Sequence, residues 1–174
     1  MIITIRTEEK SDYAGIREVN KLAFDNRTAE ANLVEAIRKT ESFIPELSLV
    51  AVKEDKEMIG HILFSLITIE TDGKDISTLA LAPMAVKPEY QNLGVGSKLI
   101  TEGLKVSRNL GYQHIIVLGH PKFYPRFGFA SAKQIGIEAP YPVPEEAFMY
   151  LELEPGSLSG ITGKVKYPPA FDIV

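Results

Sequence analysis

The chain contains no cysteine, which excludes disulfides, cysteine-ligated zinc and a cysteine nucleophile. Its three histidines, His61, His114 and His120, fall in different expected elements or at the two ends of one, without metal-ligand spacing. No metal is expected. Positive charge is not in excess, since 19 Lys+Arg against 23 Asp+Glu give a net charge of −4. That argues against a nucleic-acid partner held by a general basic field. The charge-free stretch Ile76 to Val86 is far shorter than the roughly 20 residues that span a bilayer, so no membrane partner is expected. The opening "MIITIRTEEK" has no basic leader followed by an apolar run, which predicts a soluble, cytoplasmic protein. No internal repeat or low-complexity tract interrupts the 174 residues, of which 45% are hydrophobic and 24% charged. Such a chain is expected to form one domain large enough to bury its own core.

What is present reads as alternating strands and helices. "MIITIR" has the β-branched character of a strand. Ser11 or Asp12 can cap a helix carrying Ile16, Val19 and Ala23, and Thr28 a second with Leu33, Val34 and Ile37, after which Pro45 blocks further helix. The run from Leu47 to Glu70 predicts two strands joined at the charged turn Glu54 to Lys56, followed by a third strand from about Ile76 to Val86. Val95, Leu99 and Val106 mark one face of a helix ended by Gly111. "HIIVLG" is a continuous apolar run, as expected of a strand buried on both sides. A short helix-like piece around "PKFYPRFGF" and a strand at "AFMYLELE" complete an α/β (α+β) layer with a mixed sheet. The glycine-, serine- and proline-rich tail from Pro155 is expected to wrap the body without a core of its own.

Two local features point to a site. Pro83 interrupts a predicted strand, where it can donate no ladder hydrogen bond. It marks an edge or bulge, or a place where pairing with the next strand fails. Gly94 and Gly96 then stand just ahead of a helical pattern. A helix N-terminus presents backbone N–H groups to anions, and glycines let phosphate oxygens approach them. A tight turn without ligand uses the same residues. A dinucleotide-binding fingerprint fails here, because Leu99 stands where its third glycine belongs and no acidic residue follows at the required distance. A P-loop fails as well, because Ser97-Lys98 reverses its order.

Gln91-Asn92-Leu93-Gly94-Val95-Gly96 resembles the (Gln/Arg)-x-x-Gly-x-(Gly/Ala) signature of GCN5-related N-acetyltransferases. The lead-in "LAPMAVKPEYQ" and the later "YPRFGF", similar to the family's Tyr-x-x-x-Gly-Phe element, stand in the family's order and separation. The resemblance spans about residues 2 to 153. "LGHPKFYPRFGF" with the tail "YPPAF" further resembles a bacterial subgroup of uncharacterised acetyltransferases. The resemblance implies a mixed, mostly antiparallel central sheet splayed between strands four and five, with helices on both faces. It implies an acetyltransferase domain over residues 1–153, with 154–174 a C-terminal tail packed on the same domain.

The resemblance also implies acetyl-coenzyme A as co-substrate and no metal. The pantetheine arm would pair with the backbone of Met84, Ala85 and Val86 like an added strand. The phosphates would lie on the backbone of Gln91, Asn92, Leu93, Gly94, Val95, Gly96 and Ser97. Tyr124 matches the family's general acid and would also contact the coenzyme at its sulfur. Without the motif, Tyr124 reads as a core aromatic beside Phe123, Phe127 and Phe129. The acceptor would be a primary amine of a small molecule or peptide, attacking the thioester directly. A lysine-type amine with pKa about 10.4 must spend roughly 4.6 kcal/mol to be neutral at pH 7, whereas an α-amine near 8 needs about 1.4. His120 is the candidate base, or equally a histidine hydrogen-bonded at a strand end. The rival functions are a non-catalytic acyl-coenzyme A-binding module and, disfavoured by the failed fingerprint, a nucleotide-dependent oxidoreductase. Acceptor identity and oligomeric state, a homodimer included, stay open at this level.

Overall fold

The computed structural model describes residues 1–173. In chain order its elements are β1 (Ile3–Thr7), α1 (Tyr13–Ala23), α2 (Ala29–Arg38), β2 (Phe43–Lys53), β3 (Met58–Glu70), β4 (Asp75–Val86), α3 (Val95–Asn109), β5 (His114–Leu118), β6 (Ala130–Ser131), β7 (Ile137–Glu138), β8 (Phe148–Glu152) and β9 (Gly163–Lys166). The main sheet order is β1-β2-β3-β4-β5-β8-β6, with β9 pairing β3 and β7. Among the described residues only β4–β5 and β7–β9 are parallel; the other pairings are antiparallel.

Strand side chains alternate between two faces, and each face meets its own helices. Leu49, Ala51, Ile62, Phe64, Leu79, Leu81, Ile115 and Val117 pack with Val95, Leu99 and Ile100 of α3. Val50, Val52 and Leu63 pack on the opposite face with Ile16 of α1 and with Leu33, Val34 and Ile37 of α2. Farther along that second face, Ile67, Ile69, Ala80 and Ile116 are covered by Leu158 and Val165, with Tyr167 and Phe171 beside them. Phe171 packs against both of these clusters. The expected mixed, mostly antiparallel sheet with helices on both faces is therefore present.

Some local expectations change. Asp12 and Thr28 occupy the N-cap positions of α1 and α2, yet neither makes a side-chain cap bond. Asp12 is instead taken by Arg6, at 2.7 and 3.0 Å, and by the Glu9 N–H at 2.7 Å; these hold its carboxyl below the usual range, the Arg6 bond most strongly. α2 has already ended at Arg38, so Pro45 falls inside β2. It lies where the β2–β3 register slips between Phe43 and Ser48, a place where the missing N–H is tolerated.

Under α1 and α2 runs a buried polar chain. Arg38 donates to Glu8 at 3.0 and 3.1 Å and lies 3.8 Å from the Tyr13 ring centre. The Ser48 hydroxyl donates to the Glu8 carboxylate. Ser48 Oγ then accepts from His61 Nε2 at 2.9 Å, and His61 Nδ1 accepts from Asn20 Nδ2 at 3.3 Å. Asn20, Ser48 and His61 are fully buried. This direction of donation fixes His61 as neutral. Burial first, and the Arg38 cation second, push its pKa down to about 3.

Candidate active site

β4 and β5 pair at only two positions, Leu79 with Ile115 and Ala80 with Ile116. Beyond them each strand keeps its other neighbour. β5 stays with β8 through Leu118 and Phe148, while β4 stays with β3 through Met84–Ile62, Ala85–His61 and Val86–Gly60. Along β4 the register with β3 shifts between Leu81 and Met84, across Ala82 and Pro83. Pro83 thus sits at a bulge and at the parting of two strands, so both meanings it had in the sequence hold together. The parting opens a window through the sheet.

On the α3 face this window leads to a cleft of about 630 Å³. Met84 and Val86 line it, while Ala85, one step out of phase, is buried and does not. Gln91, Asn92, Gly94, Val95, Gly96 and Ser97 line it as well; Leu93 does not, and is 58% exposed. The turn is held from below. Tyr90 donates to Glu57 at 2.9 Å and accepts from Lys53 at 3.1 Å, and Gln91 Nε2 donates to the Val86 carbonyl at 3.0 Å.

The two glycines serve different needs. Gly94 is the N-cap of α3 with φ +85°, a left-handed conformation that disfavours any Cβ, although a Cβ there would meet open space. Gly96 is helical, and its Cβ would touch Met84 Cε at 3.4 Å and Phe123 Cζ at 3.5 Å, at the cleft wall. Asn92 also has positive φ, +63°. The first bond of the helix joins Lys98 N–H to Gly94 O at 3.1 Å. The amides of Val95, Gly96 and Ser97 therefore precede the ladder, at the positive end of a 15-residue helix. Such a turn suits an anion.

The opposite wall is the single turn Tyr124–Phe127, closed by Gly128 at φ +100°. Tyr124 is 8% exposed and packs edge-on against Phe123 at 5.2 Å and Phe129 at 5.7 Å between ring centres. A Cβ on Gly119 would strike the Tyr124 ring, so the bare backbone after β5 sets where the phenol stands. Burial raises the phenol pKa to about 12. Tyr124 belongs to the α3-side core, as the core-aromatic description has it, and also lines the cleft. His120 is exposed, lines the same cleft, and accepts the Lys122 N–H at Nδ1, 3.2 Å away. Lys122 and Arg126 bring two cations to the cleft, and Arg126 lies 4.6 Å from the Phe123 ring centre.

A second cavity of about 680 Å³ opens on the other face, between the α1/α2 side and the C-terminal segment. Pro83, Met84, Gly119 and Tyr124 line it too. Met84 and Tyr124 are therefore walls common to both spaces. Among the described residues, no group of three or more His, Asp or Glu side chains could hold a metal ion. No helix among them is long and apolar enough to cross a membrane.

The family model of the acetyltransferase (GNAT) family matches residues 13–129, a span that holds both the glycine turn and the parting of β4 from β5. The chain belongs to the GNAT family. It is 45% identical over 144 residues to the uncharacterized N-acetyltransferase YjhQ of Escherichia coli K12, covering 82% of this chain and 78% of YjhQ. It is 34% identical over 168 residues to the uncharacterized N-acetyltransferase YhbS of the same strain, covering 97% and 98%. The crystal structure of E. coli YhbS in complex with CoA superposes with a TM-score of 0.89 at 33% identity, over 98% of this chain and 92% of that one. A Brucella melitensis GNAT acetyltransferase in complex with acetyl-CoA gives 0.79 at 34% identity, over 98% and 99%.

Sequence reasoning did not find Tyr90, Lys122, Phe123 and Arg126 in the cleft, and of the second cavity it singled out only Pro83 and the shared Met84 and Tyr124. For Lys122 and Arg126 a signal existed: they flank the aromatics of "PKFYPRF". The second cavity draws on segments far apart in the chain, and no contiguous motif announces it.

Proposed function

We propose that the protein is an acetyl-coenzyme A-dependent N-acetyltransferase that transfers acetyl directly to a primary amine of a small molecule or peptide. The observation that carries this reading is the window whose walls, Met84 and Tyr124, face both the glycine-turn cleft and the cavity beyond it. The CoA and acetyl-CoA complexes of the two relatives at 33% and 34% identity support the coenzyme as ligand, and the helix-opening glycine turn supports the cleft as its side.

Acetyl-coenzyme A, when bound, supplies a thioester, and transfer to an amine gives an amide and a free thiol. In this reading the amides around Gln91 to Ser97 hold the pyrophosphate, with Lys122 and Arg126 adding charge. The edge of β4 from Met84 to Val86, freed where β5 departs, pairs with the amide-bearing arm of the coenzyme. A backbone N–H of that edge holds the thioester carbonyl as charge develops. Tyr124 donates its hydroxyl proton toward the departing sulfur. A phenol near 12 facing a thiolate whose ordinary pKa is about 8.5 makes complete transfer uphill by roughly 5 kcal/mol. Tyr124 therefore acts chiefly as a hydrogen-bond donor to the developing charge. His120, the candidate base, opens on the coenzyme side, so any proton it takes leaves the amine across the window.

Calorimetry and thermal unfolding with acetyl-coenzyme A test the coenzyme half. At one hundred times Kd the ligand should add about 2.7 kcal/mol of stability. Gly96→Val, which adds a branched side chain at the cleft wall beside Met84 and Phe123, should weaken binding at least tenfold while the variant stays folded. Thiol release across an amine panel tests catalysis and separates an enzyme from a binding module. Stabilisation by NAD and none by acetyl-coenzyme A would overturn the reading.

A further inference from the structure

The cavity on the α1/α2 face has a chemical character that narrows the acceptor. Its outer wall comes from the C-terminal segment, where Tyr141 and Tyr167 stack with ring centres 6.3 Å apart and planes 24° apart. Phe171 continues the row, 4.9 Å from Tyr167, and Phe24, just after α1, lines the cavity too. Tyr167 and Phe171 are tilted by 37°, and together the three rings bound the cavity with apolar aromatic surface. The volume of about 680 Å³ falls in the range of small-molecule sites, roughly 300–1,000 Å³.

One charged group stands out against this lining. Glu30, in the first turn of α2, lines the cavity with its side chain 14% exposed. Its Oε1 is buried and has no hydrogen-bond partner among the described residues. Oε2 lies 3.7 Å from Arg27, a side chain 64% exposed, too far for a hydrogen bond and open to solvent screening. The other charged residues lining the cavity are Glu70, Asp172, Lys164 and Lys166. They are exposed and balanced in sign, so they set up little field of their own. A buried carboxylate oxygen without a partner is costly, and a cation delivered from outside removes the cost.

We propose that the acceptor is a small primary amine carried on a flat apolar body, and that Glu30 receives its ammonium group. This rests on the acetyltransferase reading above, and it assigns Glu30 a positioning and selectivity role. The aromatic row takes the body, and the charge settles at the one wall that lacks a partner. A polyamine would leave further cations in the apolar space. A lysine within a peptide would bring polar backbone against the rings.

The test uses the full chain saturated with acetyl-coenzyme A, with that binding first established by calorimetry. 2-Phenylethylamine, spermidine and a lysine-containing peptide are compared by thiol release. The arylalkylamine should give the highest kcat/KM, by at least tenfold. Glu30→Gln should raise KM for 2-phenylethylamine at least tenfold and leave kcat and the acetyl-coenzyme A KM within twofold. Inhibition by the neutral analogue 2-phenylethanol should not change, which a merely structural loss would not spare. If that variant fails to fold, the wild-type protein decides. N,N-Dimethyl-2-phenylethylamine, protonated but unable to form an amide, should then inhibit at least tenfold more tightly than 2-phenylethanol. Preference for spermidine or the peptide, or equal inhibition by the charged and neutral analogues, overturns the inference and leaves the acetyltransferase reading standing. Absence of acetyl-coenzyme A binding removes that reading itself.

Discussion

Two carboxylates on the α1/α2 side of the sheet meet opposite fates. Glu8 is 5% exposed as a side chain and fully engaged, by Arg38 at 3.0 Å and by Ser48. Glu30 is 14% exposed and so also largely buried, yet one of its oxygens has no partner among the described residues. Around Glu8 stand serine, histidine and asparagine, residue types that serve nucleophilic catalysis elsewhere. Here nearly every donor and acceptor is answered within the protein, Asn20 Oδ1 excepted, and Asn20, Ser48 and His61 are sealed from solvent. Around Glu30 the lining is aromatic and a cavity is present. Residue type is thus a weak guide to chemistry. Polar groups that satisfy one another stabilise a fold, and those left unsatisfied beside a cavity mark where a ligand belongs.

Three perturbations test this contrast. The largest effect is expected from Arg38→Met, which leaves the Glu8 charge buried without its cation. Removing one partner of such a pair typically costs about 3–5 kcal/mol. Urea unfolding at pH 7 should show that loss, with the acetyl-coenzyme A KM of the folded variant unchanged. A loss below 1 kcal/mol would mean the pair is not the closure described. Tyr124→Phe should do the reverse. It keeps the ring in the core and removes the donor, so stability should hold while the single-turnover rate falls about a hundredfold or more. Coenzyme affinity should change little, because the hydroxyl acts on charge that develops late. Full single-turnover rate in this variant would remove Tyr124 from the chemistry.

The smallest of the three concerns acid. His61 is held neutral to about pH 3 in the folded state, whereas an exposed histidine takes its proton near 6.5. Below 6.5 the unfolded chain therefore binds the extra proton and the folded one does not, so this contribution to stability falls as pH falls. From pH 6.5 to 5, before carboxylates titrate, His61 should account for a loss of about 2 kcal/mol. Burial moves His114 in the same direction, so the measurement is the difference in slope between wild type and His61→Gln. Identical slopes would show that His61 gains a proton without unfolding.

What the sequence disclosed was local. The turn from Gln91 to Ser97 is set by backbone conformations at Asn92 and Gly94 that neighbouring residues encode, and "YPRFGF" is one contiguous turn ending at Gly128. Pro83 announced the break in pairing because a missing N–H acts where it stands. The strands β6 and β7, two residues each, are too short for any period to register. β9 was concealed in the glycine-rich tail, where its four residues carry one buried side chain, Val165. Glu8 meets Ser48 and Arg38 across 40 and 30 residues, and Glu30 comes to line one cavity with Tyr167 and Phe171 only through the fold. Such juxtapositions depend on tertiary packing, which no window of sequence contains.

The parting of β4 from β5 has a consequence for traffic. The cleft by α3 and the cavity beside α2 approach the same two side chains, Met84 and Tyr124, from opposite faces of one sheet. On the proposed reading each substrate has its own doorway. Neither has to arrive first to build the other's site, and neither blocks the other's exit. Spent coenzyme can then depart while the amide is still seated, and fresh coenzyme can enter before the amide has gone. Any compulsory sequence of arrival would have to come from motion in the walls, because the layout itself imposes no queue.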